Sequence, residues 1–125
     1  MHPAFDEMQG HEIAAELLRD HPLLGERIAR ACAVEFSRAP ELLSEVIRFL
    51  VIAAPASESV TPPQQLDLAW HELILFTRVH AELCERTFRR MVHHSPGGSS
   101  AENPTRYLET LARYRERFGD PPAAY

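Results

Sequence analysis

Between Pro62 and Arg90 the sequence carries two apolar seams at helical spacing, and a segment built that way has to sit among other helices. Leu66, Trp70, Leu73, Thr77, Ala81, Cys84 and Phe88 recur at three- and four-residue steps and form one seam. Leu68, Leu75, Phe76, Val79 and Leu83 supply a second apolar surface. The start is marked by Thr61-Pro62-Pro63-Gln64, which has the form of a capping box with proline in the first turn. The pattern predicts one long central helix over residues 62–90, packed on two sides.

The rest of the chain reads in the same way. A first helix is expected from Phe5 to Arg19, with Ile13, Leu17 and Leu18 on one face, and Asp20-His21-Pro22 as a stop and restart. A second covers Leu23 to Arg38, where Leu24, Ile28, Cys32 and Phe36 repeat every four residues. A third opens at Pro40 and runs through Leu42, Leu43, Val46, Ile47, Phe49, Leu50 and Ile52, with few polar positions. Residues 55–63 form a loop, as do residues 93–100. Asn103 and Pro104 open the last helix, Tyr107, Leu111, Tyr114 and Phe118 form its buried stripe, and Gly119 ends it. No alternating apolar and polar run reads as a strand. The expected fold is all-α, a single domain over residues 1–125 made of a compact bundle of about five helices.

Charge narrows the partners. The net charge is −5 and all 13 basic residues are arginine. Residues 1–70 hold 11 acidic and five basic side chains, against seven and eight in residues 71–125. That balance lacks the basic excess that binding to a phosphate backbone requires, so nucleic acid is not an expected partner. The longest apolar stretch, Phe49 to Ala56, is too short to span a bilayer, and no membrane association is expected. The first 20 residues carry four acidic side chains and no secretory apolar core, and Cys32 and Cys84 both fall in helical patterns. These features read as a cytoplasmic protein with two buried thiols.

Chemistry-bearing residues gather in one stretch. Asp67 and His71 lie four apart and project from one face of the long helix, where they can share a metal ion, or Asp67 can orient His71 through a hydrogen bond. A third ligand has to come from His93 or His94, and adjacent residues outside a helix point apart, so one of the two is expected to join. Geometry opposes this: His71 and His93 are about 30 Å apart along a straight helix, so the chain must double back. Trp70 and Thr77 line the same segment, and His80 and Cys84 form a second four-residue pair about half a turn away. Cys84 has no activating base or helix N-terminus beside it in sequence, which favours a buried thiol over a nucleophile. No Walker loop, dinucleotide glycine fingerprint, H-E-x-x-H or C-x-x-C is present.

The residues Thr61-Pro62-Pro63, Asp67-Leu68-Ala69-Trp70-His71, Thr77, Cys84, Phe88 and His93-His94-Ser95-Pro96, with Tyr107 through Gly119, resemble the glycine-rich-domain-protein-like family over about residues 40–122. The resemblance implies a short single-domain member and no particular activity. The chain departs from that pattern: it has no glycine-rich region, Leu73 stands where a second histidine is expected, His80 where tyrosine is common, and Arg89 where glycine is expected. A metal site using a histidine at 73 would be weakened.

Two readings of function follow. In the first, Asp67, His71 and one of His93 or His94 bind a transition metal, zinc or iron, with Trp70 walling the site. An open two-histidine, one-carboxylate set would suit iron oxygenation or hydrolytic zinc, though nothing in the sequence requires catalysis. In the second, the same residues fix a loop through hydrogen bonds in a non-catalytic interaction module, whose acidic front half or second apolar face docks a protein partner or a second copy.

Overall fold

A computed structural model of the chain describes residues 7–55, 60–94 and 103–125. Six helices are present among them: α1 (Glu7–Asp20), α2 (Pro22–Cys32), α3 (Ala39–Ala53), α4 (Gln64–Leu75), α5 (Thr77–Phe88) and α6 (Pro104–Phe118). A single 3₁₀ turn, Phe36–Arg38, precedes α3, and no strand occurs among the described residues. The all-α bundle expected from periodicity is the fold. No helix among the described residues is long and apolar enough to cross a membrane. The loop read at residues 95–100 and the start of the first helix at Phe5 lie outside the described residues.

The centre of the bundle is α3 rather than the 62–90 run. Every residue from Leu42 to Leu50 is buried, and α1, α2, α4 and α6 all pack on this one helix. Its sequence is apolar nearly all round, which suits a helix enclosed on all sides. Two charged side chains share that interior. Arg48 donates to Glu45 at 2.9 Å and to the Tyr114 hydroxyl of α6 at 3.1 Å, while Tyr114 donates to Glu45 at 2.8 Å. Burial, with the Glu45 charge adding to it, pushes the Tyr114 hydroxyl up to about 12. The cluster ties α6 to α3 through hydrogen bonds that have no sequence periodicity.

Two helix boundaries differ from expectation, each for a local reason. α2 stops at Cys32 rather than Arg38 because Ala33 takes the left-handed conformation (φ 55°, ψ 45°), and the amides of Ala33 and Val34 fold back on the carbonyls of Arg30 and Ala29. Phe36 therefore leaves the buried stripe and is 60% exposed. The capping box at Thr61 does not form: Pro62 and Pro63 hold the chain extended, and α4 begins at Gln64 with no side-chain cap. Thr61 instead latches onto α6. Its amide donates to Thr110 Oγ1 at 2.9 Å, and that hydroxyl in turn has Thr61 O at 2.7 Å and Arg106 O at 2.9 Å within reach.

The long helix of the sequence pattern is two helices. It breaks at Phe76 (φ −87°, ψ 71°), and α5 turns back across α4. At its far end α5 closes on Arg89, which is exposed and left-handed (φ 60°, ψ 22°). That conformation strains any residue with a Cβ, so Arg89→Gly is expected to stabilise the fold by about 0.5–1 kcal/mol. Urea unfolding of the variant checks this, and an unchanged or lower midpoint would count against the left-handed cap.

Candidate functional site

The break at Phe76 creates the site. Trp70 on α4 and His80 on α5 are ten residues apart, about 15 Å along a straight helix. In the bent arrangement Trp70 Nε1 donates to His80 Nε2 at 3.1 Å. Beyond α5 the chain returns as an irregular segment, residues 91–94, whose Val92 side chain is buried. That return brings His94 Nε2 to 2.7 Å from Asp67 Oδ1, across 27 residues of sequence. Trp70 is enclosed between the two pairs: its ring meets the His94 ring edge-on at 4.8 Å between centroids, and the Phe49 ring at 5.7 Å.

Hydrogen bonding fixes the proton on His80. Because Nε2 accepts from Trp70, the neutral ring carries its hydrogen on Nδ1. The Cys84 thiol approaches the same Nε2 at 3.7 Å. Burial holds the His80 imidazole below its ordinary value, and the charges of His93 and then His94 push the same way. Burial raises the Cys84 thiol, opposed in part by a bond from the Val92 amide. Cys84 is fully enclosed, and the adjacent imidazole already accepts from Trp70. This thiol therefore has neither the access nor the base that nucleophilic catalysis requires.

The expected residues are brought together only in part. Asp67 meets His94 and not His71, because its carboxylate faces the returning segment while His71 turns outward. The His71 side chain is 60% exposed, its Nδ1 stands 3.6 Å from Glu72, and its ring lies 6.2 Å from that of His94. Of the paired histidines His94 joins and His93 stays exposed, as adjacent residues outside a helix should. Thr77 is exposed at the start of α5. His80 and Cys84, on their own helix half, are joined to α4 through Trp70. Among the described residues no three histidine, cysteine, aspartate or glutamate side chains are grouped so as to hold a metal ion.

Two spaces flank this network. One is a small, partly open cavity of about 30 Å3 bordered by Thr61, Asp67, Trp70, His94 and Arg106, room for roughly one or two waters. The other is a pocket of about 340 Å3 that shares Val92, His93 and His94 with the first and is bordered also by His80 and Met91. Arg106, Thr110 and Met91 contribute to this region without any sequence signal, since their placement depends on how α6 and the 91–94 segment fold back.

The buried, neutral His80 has a consequence for stability. Its folded value lies below that of the unfolded chain, so as pH falls the unfolded chain takes up the proton first. The stabilisation is complete above about pH 6.5 and is lost as pH drops through that value toward the lower folded one. The charged and titratable groups facing it are Cys84, His93 and His94. Wild-type protein is expected to lose more stability between pH 7.5 and 5.5 than His80→Phe. Equal losses in urea unfolding would show that His80 is not the group responsible.

Comparison with known proteins corrects the family reading. The chain matches the UCP032817-like family over residues 21–114, about three quarters of its length, and nothing indicates a glycine-rich-domain family. The matched span runs from the start of α2 to Tyr114 and contains the whole site. No curated protein matches the chain, and no solved structure does. Of the motif residues, Asp67, Trp70 and His94 join α4, α5 and the 91–94 segment in this chain, while His71 and His93 are exposed. By the span of that match, the chain belongs to the UCP032817-like family.

Proposed function

We propose that this protein is a non-catalytic binding module, in which the Asp67–His94 and Trp70–His80 pairs shape a recognition surface rather than perform a reaction. The observation that carries this reading is the 2.7 Å Asp67–His94 contact, which commits to one another two of the polar groups best suited to chemistry. Trp70, His80 and Cys84 are committed in the same manner. Groups held this way fasten the 91–94 segment over α4 and α5 and fix the tautomer of the buried histidine. The module presents the surface around that segment to its ligand.

A second reading is supported by one contact. With Asp67 and His94 touching and the His71 ring 6.2 Å from that of His94, a modest turn of the exposed His71 side chain would offer a carboxylate and two imidazoles to zinc or iron. Elemental analysis of untagged protein separates the two, together with thermal unfolding in the presence and absence of a chelator. The module reading expects no stoichiometric metal and a melting temperature indifferent to chelation. It also expects Asp67→Asn to destabilise by about 1–2 kcal/mol, because the charge-assisted bond to His94 is lost at a half-buried position. Stoichiometric zinc or iron that disappears in both Asp67→Asn and His94→Ala would overturn it in favour of the metal site.

A further inference from the structure

The pocket beside His80 has a chemical character that the fastening network does not account for. It opens between the bend of α4 and α5 and the 91–94 segment, with about 340 Å3 of space, within the range of small-ligand sites. Ile74, Met91 and Val92 give it apolar walls, while Thr77, His80, His93 and His94 supply polar groups. Met91 and His93 are both exposed and share one side of the irregular segment, whereas Val92 between them points inward.

The tautomer of His80 decides what such a pocket accepts. Trp70 fixes Nε2 as the acceptor, so Nδ1–H is the donating edge of the neutral ring. Among the described residues no group accepts from it. The Thr77 hydroxyl and the His93 imidazole are further donors, and none of the lining side chains is acidic. Asp67 borders the smaller cavity, and its carboxylate is tied to His94, which lines this pocket as well. The fixed Nδ1–H of His80 offers an ammonium group nothing to donate to, whereas an acceptor group meets this donor beside an apolar floor. Resting on the module reading above, we infer that this pocket binds a small carboxylate with a short apolar tail: the carboxylate meets His80 Nδ1–H, Thr77 and His93, and the tail lies against Ile74, Met91 and Val92.

The test titrates the full chain, treated with chelator, with butanoate, hexanoate and octanoate, and with the alcohols and amines of the same length. Binding is followed by the imidazole NMR signals of His80 and His93 and by the fluorescence of Trp70, the single tryptophan. Expected are saturable shifts at the His80 ring and affinity rising about fourfold per added methylene until the tail fills the pocket. The matching alcohols and amines should bind at least tenfold more weakly. Thr77→Val combined with His93→Ala should weaken hexanoate at least tenfold with little change in melting temperature, because both side chains are exposed. Equal binding of acid, alcohol and amine, no dependence on tail length, or full affinity in the double variant would overturn the inference. If a folded, metal-free protein binds none of the acids, this inference fails while the module reading stands. If the acids are chemically converted, the module reading fails while the pocket assignment stands.

Discussion

The hydrogen bond from Trp70 to His80 joins the two halves of what the local sequence writes as one helix, and the surrounding architecture follows from it. With the bond made, α5 folds back across α4, the chain beyond Arg89 runs back along α4, and His94 comes within reach of Asp67. Both pairs then bracket one indole ring, which is itself packed on Phe49 of the central helix. The bond also assigns a tautomer. A histidine free to exchange its proton between two nitrogens would give the neighbouring pocket no defined donor, whereas one held by an indole N–H presents the same edge continuously.

The central helix has a different logic. α3 is enclosed by apolar neighbours, yet it buries an arginine and a glutamate that reach the Tyr114 hydroxyl on α6. Such a cluster contributes less to stability than apolar packing of the same volume, but it accepts one arrangement of partners and rejects others. The Thr61–Thr110 latch, also buried, joins α6 to the extended segment before α4. Together they set the height of α6 and of the extended 60–63 segment, and therefore where α4 begins. The position of Asp67, one turn into α4, is inherited from contacts made far from it in sequence.

What the sequence disclosed divides along the line between local and non-local causes. Apolar periodicity at three and four residues identified every helical region, since that pattern is the direct imprint of a buried face. Gly119 and the Asn103-Pro104 start were readable because single-residue backbone preferences fix them. The turn at Ala33 was not readable: alanine carries no signal for a left-handed conformation, and the chain adopts it to return toward α3. The break at Phe76 had no signal either, because no glycine or proline occurs between Gln64 and Ser95. Asp67, Trp70, His80, Cys84 and His94 stood out in the sequence, but how they pair did not. Asp67 and His71 look like partners by spacing, yet spacing says only which face two side chains share. The face of Asp67 was claimed by a histidine 27 residues away.

The bend at Phe76 is imposed from outside the segment that bears it. Residues 64–88 have the local preferences of one continuous helix, and tertiary contacts alone hold them folded in two. A segment of this kind is frustrated: its local and global preferences disagree. The pocket, the returning segment and the enclosure of the indole all rest on the contacts that hold this bend. The pocket beside His80 and the bend at Phe76 are thus one object, since both depend on the same few contacts.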